Sequence, residues 1–206
     1  IVSCTGAAAL PSPEPLPTMA ARFAKVGDET FAKVDKVNAE LFTLTYGAMV
    51  QQLLHDARGD VDKVNAELDV MGYNIGLRLV EELLARSGLG RCAQLKDTAE
   101  VIAKVGFKMF LGAAASVVAF DAERQQFAIA VDDNPLVEFV ELPEKYAGLR
   151  YCQVLAGVIR GALEMVQLRV ECSFDKDVLR GGDTTQIRVV VKEVIADSKP
   201  PGDDDE

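Results

Sequence analysis

The run from Leu149 to Val170 (Leu-Arg-Tyr-Cys-Gln-Val-Leu-Ala-Gly-Val-Ile-Arg-Gly-Ala-Leu-Glu-Met-Val-Gln-Leu-Arg-Val) constrains this chain more than any other stretch. Wound at about 3.6 residues per turn, it puts Gln153, Arg160, Glu164 and Gln167 on one narrow stripe and apolar side chains in almost every other direction. A helix with so thin a polar strip needs neighbours on most sides, which makes it the centre of a core. Its interspersed charges exclude a bilayer span. Gly157 and Gly161, four residues apart, leave room for a second backbone to come close.

The chain has 206 residues, of which 49% are hydrophobic, enough for one domain with a substantial core. The formal net charge is −10, and Asp203, Asp204, Asp205 and Glu206 at the end supply four of those charges. An acidic chain without Lys/Arg clusters argues against nucleic-acid binding. The lone His55 leaves little scope for histidine-based catalysis or a histidine metal site. Cys4, Cys92, Cys152 and Cys172 have no Cys-x-x-Cys spacing. Zinc and thioredoxin chemistry therefore have no support, and the scatter fits a reducing, cytosolic setting.

In chain order, residues 1–36 read as an N-terminal extension, largely disordered, with alternating prolines 11, 13, 15 and 17 and only a weak helical pattern from Ala20 to Lys36. No basic stretch precedes an apolar one, which argues against a secretory signal. Residues 37–195 read as one domain, and 196–206 as a mobile acidic tail. Helices are expected over 37–57 and 60–86. Gly72 and Gly76 inside the second would each cost about 1 kcal/mol, unless another backbone approaches there. A further helix opens at Asp97, read as its N-cap with Glu100 three residues on, and runs to Gly112. The period then changes to two, with strands over 116–120 and 125–131, a helical turn opened by Asn134-Pro135, and a second hairpin around Arg180 to Asp183. Segregated runs of this kind indicate an α+β fold, a helical layer packed on a small antiparallel sheet. The heptapeptide Asp-Lys-Val-Asn-Ala-Glu-Leu occurs twice, at 35–41 and 62–68. It is too short for a solenoid repeat.

Two positions stand out chemically. Cys92 lies in a glycine-flanked loop beside Arg91 and before a helix start, where both features favour a thiolate. The plainer reading is a cysteine filling a small apolar space. Gly106 interrupts the apolar face of a helix, either for backbone packing or to leave room for a slender ligand. The acidic pairs Glu81-Glu82 and Asp132-Asp133 read as solvated. Gly88-x-Gly90 follows a helix and lacks the third glycine of a dinucleotide loop.

The segments Leu41 to Ala48, Met71 to Gly76, Gly90-Arg91-Cys92, Ala103 to Val105, Asn134 to Val137, Phe139 to Pro143 and Arg160 to Gln167 closely resemble the Bet-three family, subunit three of the TRAPP (transport protein particle) vesicle-tethering complex. The similarity runs in order from about 38 to 195. The resemblance implies an α+β fold with an internal hydrophobic channel. It also implies a fatty acyl chain, expected as palmitoyl, held by a thioester at Cys92 and attached without a separate enzyme. Arg91, Ile102, Gly106 and Met109 would border that channel, where relatives carry alanine at the position of Gly106. Partners implied are paralogous TRAPP subunits, or a second copy, meeting Phe42, Tyr46, Met49 and Leu53. A Rab-type GTPase would be reached through the complex, with Asp203 to Glu206 near its nucleotide pocket. The implied role is a non-enzymatic scaffold in ER-to-Golgi transport that contributes to nucleotide exchange. Its setting would be cytoplasmic, peripheral at cis-Golgi and ER-Golgi membranes. Two other readings are a sensor of small apolar ligands and, against the absence of a nearby base in the sequence, an acyl-transfer enzyme using Cys92.

Overall fold

In the computed structural model, which describes residues 18–195, the central run forms helix α6 over Gln153–Met165. It is shorter than its apolar pattern predicts. Leu149 and Arg150 precede it without regular structure and Tyr151 and Cys152 as a turn, and Gln167, held at a left-handed φ of 69°, follows its end. From Leu168 the chain is already strand β3. The helical apolar pattern continues without a break into a strand that is itself half buried, so periodicity cannot locate the boundary.

α6 is nonetheless the centre of the molecule. Val154 to Gly157, Ile159, Gly161 and Leu163 are buried on it. Helix α3 (Val61–Ser87) lies along it, the most extensive helix pairing in the fold. The glycines make this contact. A Cβ on Gly72 would lie 2.1 Å from the Val154 carbonyl oxygen, and one on Gly157 would lie 2.3 Å from that of Asp69. Gly76 and Gly161 are equally confined, by the Val158 and Tyr73 carbonyls. Close backbone approach, expected at all four positions, therefore joins these two helices to each other. The polar stripe of α6 also turns toward α3. Gln153 donates to Asp69 Oδ1 (3.1 Å), and Arg160 pairs with Asp69 Oδ2 (2.5 Å) while lying over the Tyr73 ring.

The sheet is four-stranded and antiparallel, in the order β1 (Ala115–Asp121), β2 (Gln126–Val131), β4 (Thr185–Val194), β3 (Leu168–Lys176). Thr185, Ile187 and Val189 of β4 face the core, and the residues between them are partly exposed. Asn134 caps the turn Pro135–Val137 as expected, and its amide nitrogen reaches Cys152 Sγ and Thr185 Oγ1 in the interior. The α+β reading holds.

Three expectations need correction. The segment 1–36 is not an extension throughout, because Met19–Lys33 is helix α1, packed through Phe23, Gly27 and Thr30. Its pattern is weak in sequence because glycine and threonine occupy buried positions. Residues 1–17 and 196–206, including the acidic tail, lie outside the described residues. Helix α4 (Leu95–Val101) is preceded by Gln94, which makes no side-chain cap, and Asp97 stands within its first turn. Its charge still complements the helix dipole there. The helix also does not continue regularly to Gly112. A π-helical turn (Ile102–Gly106) separates α4 from α5 (Phe107–Leu111).

Helix α2 (Ala39–Asp56) is apolar nearly all round. Its buried line is Thr43, Tyr46 and Val50, while Leu41, Phe42 and Leu44 are exposed. Tyr46 is therefore a core residue and cannot be a partner contact. Its hydroxyl donates to the Tyr151 carbonyl at 2.5 Å, the two rings meet edge to face, and burial pushes its phenol above the usual range. Replacing Tyr46 by Phe leaves a buried carbonyl unpaired. This should lower stability by about 1–3 kcal/mol, read as a shifted urea midpoint with unchanged slope.

Candidate functional site around Cys92

Cys92 follows α3 in a short loop. Gly88, left-handed at φ 65°, caps the helix as the sequence indicates, and the chain then crosses to α4. The cysteine is half buried and packs on a small apolar cluster apart from the main core. That cluster has Phe23, Val101 and Val105 at its centre and Val26, Leu83 and Leu89 around them. Three elements thus meet at the thiol: α1, the C-terminal end of α3 and the α4 segment with its π-helical turn.

Arg91 does not assist the sulfur as expected. It is exposed, and its guanidinium donates to the Gln167 side chain at the end of α6. Burial pushes the Cys92 thiol up, the Asp97 carboxylate adds to that, and a hydrogen bond with Thr98 opposes it only in part. Cys92 is consequently a protonated thiol near neutral pH. Because the thiolate is the nucleophile, its rate of alkylation should rise about tenfold per pH unit. The rise should continue past about pH 8.5, where a free cysteine levels off. A plateau below that pH, followed by peptide mass, would contradict this. No histidine assists either, since His55 is exposed on α2 beside Asp56.

The other residues expected along a channel divide between environments. Gly106 ends the π-helical turn, and a Cβ there would meet Leu83 Cδ1 at 3.6 Å. That side chain and the Val101 carbonyl oxygen at 3.9 Å are at ordinary contact distance, unlike the backbone oxygens that confine the α3–α6 glycines at 2.1–2.3 Å. Its packing is thus the kind that a slender ligand could share. Ile102 leans on the main core, and Met109 is buried on α5. Sequence reasoning missed Phe23, Leu83 and Leu89 beside Cys92. Leu83 could have been found from the three- and four-residue spacing of Leu68, Met71, Ile75, Leu79 and Leu83 in the helix expected over 60–86, but Phe23 stands in the segment read as an extension. The clefts of 570 and 530 Å³ lie elsewhere, between them bordering Arg150, Arg180 and the loop after β3. Among the described residues no group of His, Cys, Asp and Glu could hold a metal ion.

Residues 42–190 match the family described as "Transport protein particle (TRAPP) component". The chain belongs to that family. It is 54% identical over 187 residues to "Trafficking protein particle complex subunit 3" of Dictyostelium discoideum, covering 90% of this chain and all of that one. Identity to "Transport protein particle subunit bet3" of Schizosaccharomyces pombe is 50%, covering 87% of this chain and 98% of the relative. A crystal structure of a trafficking protein particle complex subunit 3 from Naegleria fowleri, covalently bound to palmitic acid, superimposes with a TM-score of 0.74 at 47% identity. That match covers 79% of this chain and all of the other. The TRAPP fold is thus common to a protein that carries a covalent fatty acid and to this one. No helix among the described residues is long and apolar enough to cross a membrane.

Proposed function

We propose that this chain is a core scaffold subunit of a vesicle-tethering complex in ER-to-Golgi transport, and that Cys92 carries a thioester-linked palmitoyl chain. The observation that carries the reading is the seating of Cys92 on an apolar cluster inside the fold of a relative that binds palmitic acid covalently. Loading forms a bond from Cys92 Sγ to the acyl carbonyl carbon of an acyl-CoA, breaks the CoA thioester, and passes the thiol proton to the CoA sulfur. The chain then runs inward past Gly106, with Ile102 and Met109 along its course. The acyl chain is held rather than turned over, because among the described residues no histidine lies beside the sulfur and the Asp97 carboxylate that acts on it has no partner to form a relay. The protein works at the cytoplasmic face of cis-Golgi membranes as a peripheral component. Within the complex it contributes to nucleotide exchange on a Rab-type GTPase, with Asp203 to Glu206 assigned to that contact.

Intact mass before and after neutral hydroxylamine tests the thioester. One palmitoyl group should be present on wild type, be released by hydroxylamine, and be absent from Cys92→Ser. A wild-type chain that never gains the acyl mass in the presence of palmitoyl-CoA would refute the assignment.

The partner face on α2 is the exposed set Leu41, Phe42 and Leu44, with Met49 and Leu53 half buried at its edge. It is offered to a paralogous subunit or a second copy. Burying one leucine contributes about 1.5–3 kcal/mol, so Leu44→Glu should weaken pairing at least about tenfold. Thermal stability of the free chain should be unchanged, because Leu44 is outside the core. Sedimentation with a co-expressed paralogue reads the first effect, and equal association would remove this face from the proposal.

A further inference from the structure

Helix α1 is joined to α2 by five residues, 34–38, among which Val37 is exposed and Val34 and Asn38 are extended. It contributes no residue to the main hydrophobic core. It packs instead on α4, the π-helical turn and α5, and touches α3 where Leu83 joins the small cluster. Phe23 is buried in the same small cluster on which the Cys92 sulfur rests, with Val26 at its edge. A single close approach seats the helix, where a Cβ on Gly27 would lie 2.1 Å from the Lys104 carbonyl oxygen within the π-helical turn. Beyond it the contact stays local to this side of the fold, with Thr30 buried and Phe31 lying against Gly112. Asp28 pairs with Lys108 at 3.8 Å, and Phe31 lies under the ammonium groups of Lys36 and Lys108. Such an element can leave without opening the core, and opening of this kind belongs to the low end of a protein's stability range. π-helical turns are also frequent at functional sites.

We propose that α1 is a detachable cover over the Cys92 thiol, and that its undocking from the π-helical turn gates every modification of that thiol. The cover accounts for a half-buried, protonated cysteine in a loop that would otherwise be open. It also regulates the acyl site, since Phe23 occupies volume beside the sulfur that an incoming hydrocarbon must take. In that respect it rests on the reading of Cys92 as the acylated residue.

The test compares the wild-type chain of 206 residues with Gly27→Ala, whose added methyl cannot coexist with the Lys104 carbonyl. N-ethylmaleimide is the probe. Its alkene carbon bonds to Sγ, and the thiol proton ends on the neighbouring carbon. Labelling is read at the Cys92 peptide, because Cys4, Cys152 and Cys172 also carry sulfur. Gly27→Ala should speed labelling by about tenfold or more and deprotect the amides of 19–33 from hydrogen exchange. Lys25→Ala on the exposed side should change neither. If Gly27→Ala does not fold, Phe23→Ala carries the same expectation. Equal labelling rates with α1 deprotected would overturn the cover, and so would an α1 that stays protected with alanine at position 27. A parallel arm uses palmitoyl-CoA. Faster acylation of Gly27→Ala supports both ideas. Faster maleimide labelling with no acylation in either protein keeps the cover and refutes the acyl reading. Equal acylation together with equal labelling keeps the acyl reading and refutes the cover.

Discussion

Alanine at Gly157 is expected to cost about 3 kcal/mol of stability, lowering the melting temperature of a chain of this size by about 6–12 °C. Helix propensity alone predicts the opposite sign, since alanine is favoured over glycine by about 1 kcal/mol inside a helix. Distance decides which effect wins. The new methyl would lie 2.3 Å from the Asp69 carbonyl oxygen, 2.9 Å from the Tyr73 nitrogen and 3.0 Å from Gly72 Cα, all backbone atoms of α3. Backbone inside a packed helix cannot rotate aside, so α3 and α6 must separate along their length. The separation would also stretch the Gln153 and Arg160 contacts to Asp69, leaving charge less well paired in a half-buried place. Gly157→Leu should give no folded protein. Gly90→Ala is the control, because nothing lies within 4 Å of its added atom and its φ is not positive. Its effect should stay within about 0.5 kcal/mol. A Gly157→Ala protein as stable as wild type, by calorimetry, would show that the helices have slack there.

Loading palmitate on Cys92 is expected to raise the melting temperature by more than 10 °C, the larger of the two shifts. Each buried methylene contributes about 0.8 kcal/mol, so even half of a sixteen-carbon chain exceeds the whole cost of the Gly157→Ala change. The chain must find room where Phe23, Leu83 and Val105 now meet, and the work of moving them reduces the gain. Gly106 supplies the discriminating variant. Gly106→Ala meets the end of the Leu83 side chain at 3.6 Å and the Val101 carbonyl oxygen at 3.9 Å, both ordinary contact distances, so it should fold and acylate normally. Gly106→Leu should fold less well and exclude the chain. Full acylation of Gly106→Leu would place the hydrocarbon on another path, and equal melting temperatures with and without the acyl group would deny it a structural role.

Much of the site was legible from residues alone, but its physical character was not. The loop and its glycine cap follow from local chemistry. The state of that sulfur does not. Arg91 is adjacent in sequence, yet its side chain goes to Gln167, 76 positions away, and what acts on the thiol instead is desolvation. Desolvation is a sum over neighbours from α1, α3 and α4, none of which the loop can specify. Tyr46 makes the same point, since it shares a helical face with Phe42 and Met49 but lies under the Tyr151 carbonyl.

The twice-occurring heptapeptide separates the two levels most clearly. At 62–68 all seven residues are helical, and Val64 and Leu68 are fully buried against the core. At 35–41 the same residues straddle a helix start, with Asn38 as the cap, and Val37 and Leu41 are 78% and 66% exposed. Composition, periodicity and the spacing of glycines determined that this chain makes an α+β domain, that α6 is its centre, and that another backbone must cross at Gly72, Gly76, Gly157 and Gly161. Those are properties of a residue and its own turn of helix. Which apolar face is covered, which cap is used and which charge reaches a thiol were decided by the tertiary structure. Burial and electrostatics depend on what is brought near from distant parts of the chain, and seven identical residues carry no information about that.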